Sequence, residues 1–388
     1  TVSSKKMDSL LLQNLEKRKQ NNLYRTRVTV DSGCAEKISV KGQRVHNFCS
    51  NDYLGLADNK TIANAFKQGI ETYGVGSGAS HLISGHSKAH EELEEQLAEF
   101  TGRPRALLFS SGYMANMGVI GALVGRSDLV LEDYLNHASL LDGGLLSRAS
   151  FKRFKHRDTH DLQQKLAQSN ASKKLIVTDG VFSMDGDLAP LKDLATAAQK
   201  HDAWLMADDA HGFGVLGKTG AGLVEEQNLS IDEVPVLMGT LGKAFGTYGA
   251  FVAGSEALIE TLVQFSRSYI YTTAPPPAVA VATMASLELV KSEHWRRDKL
   301  NQLISRFRQG AQQIGLNIMD SNTPIQPILV GSDEKLLEIN HRLIEQGFMV
   351  GAIRPPTVPE GTGRLRVTLC ANHSEQQIDA LLDALDQC

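Results

Sequence analysis

Cysteine is scarce in this chain of 388 residues, and aromatic residues make up only 6% of it. The four cysteines, Cys34, Cys49, Cys370 and Cys388, show no C-x-x-C spacing. That argues against a disulfide framework or a zinc knuckle and fits a reducing, cytoplasmic setting. Long apolar runs are missing as well. No segment approaches the ~20 apolar residues that span a bilayer, and the opening TVSSKKMDSLLLQNLEKRKQ lacks the apolar stretch of a signal peptide. Net charge is only −4, with no basic tail or patch, so neither nucleic acid nor a membrane is an expected partner. The P-loop pattern G-x-x-x-x-G-K-[ST] is absent. YGVGSGASHLISG is glycine-rich, but a helix-like segment precedes it where a dinucleotide fingerprint requires a strand. HEELEEQ lacks the second histidine of a metalloprotease motif, and no metal site is expected. Its glutamates read as a solvated helix face, with Leu93, Leu97 and Phe100 turned inward.

What is present is an ordinary globular composition, 42% hydrophobic and 22% charged, in a chain long enough for a large domain and a smaller one. Leu10, Leu11 and Leu15 recur at helical spacing and predict an amphipathic N-terminal helix, followed by a short β-rich stretch within residues 1–45. The apolar runs RALLFSS, DLVLED, KLIVTDG, AWLMADDAHG, VPVLMGT and GAFVAG read as strands buried on both faces. DGDLAPLKDLATAAQKHD, with Pro190 in the first turn, predicts a helix between two of them. Alternation of this kind implies an α/β domain over 46–292 with a mainly parallel sheet. Its strands end in Ser110 and Ser111, Glu132 and Asp133, Thr178 and Asp179, Asp208 and Asp209, and Thr240, along the sheet edge where such proteins bind ligands. After a helix over Pro277–Ser292, residues 293–388 predict a compact C-terminal α+β domain.

The chemistry centres on GTLGKAFGTYGA, which sets Lys243 among glycines in a turn at that edge. A partly desolvated amine there has a lowered pKa and becomes a nucleophile toward carbonyl carbon. Asp208 and His211, in DDAHG, follow a very apolar strand. Together the three fit a pyridoxal phosphate site, which needs a lysine for the aldehyde and a carboxylate at the pyridine nitrogen. His211 would reach the phenolic oxygen of the ring. In SSGYMANMG, Ser111, Gly112 and Tyr113 offer the start of a helix as a phosphate berth. Thr240 could add a hydroxyl, His137 a stacking ring, and Ser183 a further contact.

SNDYLGL, GSGASHLISG, HEELEEQLAEF, SSGYMAN, NHASLLDG, DGVFSMDGDLAPL, DDAHGFGVLG, GTLGKAFG and IRPPTVPEGTGRLRVTL are together similar to the α-oxoamine synthases, a family of pyridoxal phosphate enzymes, over nearly the whole chain. The resemblance implies the fold of aspartate aminotransferase type and a homodimer with sites at its interface. It makes Lys243 the Schiff-base lysine, places Asp208 at the pyridine nitrogen and His211 at the phenolic oxygen, and stacks His137 on the ring. Gly112, Tyr113, Thr240 and Ser183 become cofactor contacts. Thr272 or Thr273, with Thr273 preferred, would reach the partner subunit's phosphate. On the substrate side it implies Arg354 for the amino-acid carboxylate, with Asn51, Thr357 and Arg25. Arg364 and Arg366 are rivals to Arg354, which is preferred because Pro355 and Pro356 would hold its backbone extended. Many members read G-S-G-G-S-R where this chain has GSGASH, so Ala79 and His81 replace a glycine and an arginine.

The reaction implied is a decarboxylative condensation of L-alanine with a pimeloyl thioester of CoA or a carrier protein. A sister synthase that condenses glycine or serine with another acyl-CoA is the nearest alternative. A binding protein that has kept the fold is disfavoured by the intact Lys243, Asp208, His211 and Arg354 set. A nicotinamide dehydrogenase is disfavoured by the lack of a strand-anchored glycine fingerprint.

Overall fold

The six apolar runs form strands of one sheet, seen in a computed structural model that describes residues 2–388. In chain order, the N-terminal stretch holds α1 (Val2–Gln20), β1 (Lys37–Val40) and β2 (Gln43–Asn47). Next come α2 (Lys60–Tyr73), α3 (Lys88–Thr101), β3 (Arg105–Phe109), α4 (Gly112–Leu123), β4 (Leu129–Asp133), α5 (Ala138–Leu146) and β5 (Ser150–Phe154). They are followed by α6 (Thr159–Ala167), β6 (Lys174–Asp179), α7 (Leu191–Lys200), β7 (Trp204–Asp208), α8 (Leu223–Glu226), β8 (Val236–Thr240) and β9 (Ala250–Gly254). Helices α9 (Glu256–Phe265), α10 (Arg267–Ile270) and α11 (Pro277–Ser292) complete the large unit. The remainder is α12 (Trp295–Gln313), β10 (Ile325–Gly331), α13 (Asp333–Glu345), β11 (Phe348–Met349), β12 (Gly351–Ile353), β13 (Gly363–Thr368) and α14 (Glu375–Asp386).

The large sheet runs β3-β9-β8-β7-β6-β4-β5. Only β9 is antiparallel to its neighbours, so the carboxyl ends of β3, β4, β6, β7 and β8 share one edge. Alternate side chains of these strands feed two separate cores. Val130, Val177, Met206 and Val252 pack with α4 and α9, whereas Leu131, Ile176, Leu205 and Leu237 pack with α6 and α7. Burial on both faces is what made these strands continuous apolar runs. The edge strand β5, SFKRF, sets two phenylalanines around an adjacent Lys152–Arg153 pair and is half-exposed, and its sequence carried no such signal. A third core joins α2, α3 and α11 to the C-terminal helices. Strand β2 pairs in parallel with β11, so the stretch after α1 is stitched to the C-terminal unit, where Phe48 stacks on His373.

Three local expectations change. Helix α7 starts at Leu191 with Pro190 as its cap, because Val181 and Leu188 bridge and the Ala189 N–H donates to the Gly180 carbonyl, holding 181–189 as a folded-back loop. Glu94 is not on a solvated face: its carboxylate accepts the Leu108 N–H at 2.8 Å, and burial pushes its pKa up to about 8. Leu10, Leu11 and Leu15 do share a helix, but they are 55%, 51% and 42% exposed, left uncovered by the described residues of the chain.

The 181–189 loop, which carries Ser183, is pinned by a histidine between two carboxylates. His156 Nδ1 lies 2.9 Å from Asp133 Oδ1 and Nε2 lies 2.8 Å from Asp187 Oδ2, with Phe182 edge-on to the ring. Burial by itself would lower the imidazole pKa, but the hydrogen bonds and charges of Asp133 and Asp187 outweigh it and raise the value to about 9 from the ordinary 6.5. A raised folded-state pKa means the stabilisation is complete below about pH 6.5 and drains away as pH climbs through 9. Urea unfolding of wild type and His156→Gln at pH 6 and pH 9.5 should therefore show a gap of about 2–3 kcal/mol at the lower pH that largely closes at the higher.

Candidate active site

The shared sheet edge opens into a cavity of about 220 Å³, lined in part by Gly112, Tyr113, His137, Ser183, Asp208, His211, Thr240 and Lys243. Chain folding thus gathers eight of the expected residues. Lys243 sits in the tight turn after β8, closed by the Gly246 N–H to the Lys243 carbonyl at 2.9 Å and by the Leu241 N–H to the Gly249 carbonyl at 2.9 Å. Gly246 adopts a positive φ of 68°, and a Cβ there would meet the Leu56–Ala57 backbone at 2.6 Å. Its lack of a side chain lets the lysine turn press against the SNDYLGL segment.

Lys243 Nζ has an imidazole for its nearest partner. It donates to His211 Nε2 at 3.2 Å, and no carboxylate among the described residues is within ion-pair distance. Burial lowers the amine pKa, Asp208 and Asp179 pull it back up, and Arg366 adds to the lowering. His211 is held neutral, since burial, then the charges of Lys243 and Arg366, drive its pKa well below the ordinary value. With Nε2 accepting, its Nδ1–H donates to the Tyr53 oxygen at 2.6 Å. Tyr53 is fully enclosed, its pKa pushed up to about 12 mainly by burial, and its O–H donates to Asn51 Oδ1 at 3.2 Å. Arg366 Nη1 and Nη2 reach the same Oδ1 at 3.3 Å, and Nε donates to the Ser183 carbonyl at 2.6 Å. One chain of hydrogen bonds therefore runs from Lys243 to Arg366.

Across the cavity, Asp208 Oδ2 accepts from Asn116 Nδ2 at 2.8 Å and Oδ1 accepts the Ala210 N–H at 2.9 Å. Asn116 gives its other proton to Ser139 Oγ, which lies 2.7 Å from His137 Nδ1. The His137 N–H donates to Asp179 Oδ2 at 2.7 Å. Burial, then the Asp208 charge, raises the Asp179 pKa well above the usual carboxylate range. Tyr53, Asn116 and Ser139 were not picked out as site residues from sequence, Asp179 was read only as a strand end at the functional edge, and Arg366 only as a rival to Arg354. The available signal was a polar residue in the first turns of a helix that follows a strand end: Asn116 lies four residues past the start of α4 and Ser139 one residue past the start of α5.

Six expected residues lie outside the cavity lining, the first being Ser111, which caps α4. Asn51 joins it indirectly, through Tyr53 and Arg366. Thr273 is exposed and bridges Ser80. Arg25 and Thr357 are exposed. Arg354 donates through Nη1 to the Asn22 carbonyl, and the chain after it is not extended: the Thr357 N–H returns to the Arg354 carbonyl at 3.1 Å, making a turn. Arg364 pairs with Asp185, as expected of a structural arginine, but Arg366, two residues on, faces the site.

The residues present fit pyridoxal phosphate. Gly112 and Tyr113 open the 12-residue helix α4, and Ser111 Oγ caps only the Met114 N–H, so the first N–H groups of α4 are available to a phosphate. Asp208 is buried with its carboxylate fixed by two donors, as a partner for a ring N–H requires, and Lys243 has an amine kept off any carboxylate.

The aminotransferase class I and II family profile matches residues 43–385. The 8-amino-7-oxononanoate synthase of Saccharophagus degradans is 59% identical over 381 residues, covering 98% of this chain and 96% of that protein. That of Nitrosococcus oceani is 60% identical over 373 residues, covering 96% and 99%. Among solved structures, serine palmitoyltransferase from S. paucimobilis with bound PLP–myriocin aldimine matches with a TM-score of 0.92 at 29% identity, covering 99% of this chain and 97% of that one. The 8-amino-7-oxononanoate synthase from Francisella tularensis matches with a TM-score of 0.77 at 32% identity, covering 88% and 97%. The mainly parallel sheet with its helical layers is accordingly the aspartate aminotransferase type of fold, and the chain belongs to the class I and II aminotransferase family and, within it, to the α-oxoamine synthases.

Proposed function

We propose that the protein condenses L-alanine with a pimeloyl thioester, releasing carbon dioxide and the free thiol and leaving 8-amino-7-oxononanoate. The observation that carries the reaction type is the opposition of Lys243 and Asp208 across one small cavity at the strand ends. The substrates are supported by relatives of this name at 59–60% identity over nearly the full chain. When bound, pyridoxal phosphate supplies a cationic ring that accepts the electron pair left on a substrate carbon. Asp208 would keep the proton on the ring nitrogen, and Lys243 would hold the cofactor's aldehyde carbon. The N–H groups of Gly112 and Tyr113 would take the phosphate, and His137 would cover the ring. His211 accepts from Lys243 without protonating, so the amine has a neutral neighbour and can serve as the base for the Cα proton.

For the alanine carboxylate we assign Arg366, with Asn51 beside it, ahead of Arg354. A planar guanidinium suits bidentate binding, and Arg366 is the arginine hydrogen-bonded into the Lys243 chain. Arg354, Arg25 and Thr357, grouped by the N-terminal stretch and the 354–357 turn, are left for the acyl thioester side. A homodimer is supported by the uncovered leucine stripe on α1, and Thr273 on its exposed segment would meet the partner subunit's phosphate. A cytoplasmic location fits four unpaired cysteines and the lack, among the described residues, of any helix long and apolar enough to cross a membrane.

Thiol release assayed with alanine, glycine and serine against pimeloyl, acetyl, succinyl and palmitoyl thioesters tests the substrate pair. Alanine with the pimeloyl thioester should exceed every other pair, and a preference for glycine with acetyl-CoA would transfer the protein to the sister activity. Loss of a charge-assisted contact is worth about 1.5–3 kcal/mol, so Arg366→Ala should raise KM for alanine by about 10- to 100-fold. Arg354→Ala should leave KM for alanine within about threefold, and a reversed order would return the carboxylate to Arg354.

A further inference from the structure

The GSGASH segment, where the chain leaves the common family pattern, ends at His81 and leads into a single π-helical turn, His81–Gly85, that runs on to the cap of α3. It brings three imidazoles together. One ring nitrogen from each of His81, His86 and His90 lies within 4.8 Å of the others, and His81 Nδ1 is 2.7 Å from His86 Nδ1. His86 and His90 stand four residues apart across the helix start, a spacing that puts two ligands on one side.

The surroundings fix where the lone pairs are. His90 Nε2–H donates to the Pro275 carbonyl at 2.8 Å, which leaves the lone pair on Nδ1, where it accepts the Ser87 N–H at 3.0 Å. His86 turns Nε2 toward the carboxylates of Glu91 and Glu94, at 3.4 and 3.7 Å, so its Nδ1 also carries a lone pair. A carbonyl or carboxylate on the far nitrogen is the usual support of a metal-binding histidine. His81 is the member free to change: its Nε2 is buried without a partner, so moving its proton from Nδ1 to Nε2 breaks only the His81–His86 bond.

We propose that His81, His86 and His90 form a binding site for a divalent transition-metal ion of the zinc class, clamping the π-helical turn to α3. Three imidazole nitrogens select such an ion over magnesium or calcium, which prefer oxygen. Metal–nitrogen distances of about 2.0–2.1 Å in a tetrahedral site need the two Nδ1 atoms to part by roughly 0.6 Å. His90 must give up the Ser87 N–H, while the Ser87 hydroxyl keeps its bond to the His90 N–H. The site is separate from the cavity described above. It is joined to the Thr272–Thr273 segment by the Ser80–Thr273 bridge and the Ala274 N–H to Ala79 carbonyl bond, so an ion there would stiffen that segment. His156 with Asp185 and Asp187 is the other cluster of this kind, but its two ring nitrogens are already committed to carboxylates.

Equilibrium dialysis of the cofactor-loaded protein, freed of metal and titrated with Zn2+, tests this directly, with Co2+ as a spectroscopic probe. The expected result is one tightly held equivalent per chain and the absorption of four-coordinate Co2+. His81→Asn and His86→Ala should each weaken binding at least about tenfold, and His156→Gln should leave it unchanged. Retention of the ion by His86→Ala at wild-type affinity, or no retained equivalent in wild type, would overturn the proposal. His86 is only partly buried, so that variant decides the matter even if His81→Asn fails to fold.

Discussion

A lysine amine whose nearest partner is a neutral imidazole is the constraint around which this site is built. Had a carboxylate stood in place of His211, the ion pair would hold the Lys243 proton firmly and spoil the amine as nucleophile and base. Burial keeps His211 uncharged, and Tyr53 fixes which of its nitrogens carries hydrogen. Asp208 stands across the cavity and acts on the amine by its field and not by contact.

That separation is a product of the sheet. Asp179 and Asp208 end adjacent parallel strands and are paired in register, and Thr240 ends the next strand with Lys243 three residues beyond. Burial, then the charge of Asp208, raises the Asp179 pKa, and Asp179 accepts the His137 N–H and positions that ring. The His156 pair and Arg364 on Asp185 anchor the Ser183 loop from behind, and Arg366 grips its carbonyl from the front. Packing on both faces of the sheet thus transmits into placement of the polar groups at its edge.

The strands and the principal polar residues were legible because both carry strong local signals. A strand buried on two faces must be apolar until it ends, so the first Asp, Thr or Ser after the run marks the functional edge. Strand β5 was invisible because an edge strand needs no continuous apolar face. Tyr53 was missed as a site residue, and Arg366 ranked behind Arg354, for a different reason: they enter from a loop and from the C-terminal sheet, 158 residues before His211 in one case and 315 residues beyond Asn51 in the other. Only tertiary folding brings them to Lys243. The preference for Arg354 rested on prolines holding the chain extended, whereas Pro355 and Pro356 sit in a turn whose ends hydrogen-bond. Glu94 and the three histidines around it show the same limit, since helical spacing near a cap reads as a solvated face until a neighbouring strand and the Pro275 carbonyl are placed against it.

The claim that matters most is that Lys243 is the covalent anchor of the cofactor. Borohydride reduction of the purified protein with pyridoxal phosphate, followed by peptide mass spectrometry, measures it at one residue. The account predicts a phosphopyridoxyl adduct on Lys243, absent from Lys243→Ala. An adduct on another lysine, or none at all on a folded, active protein, would contradict it.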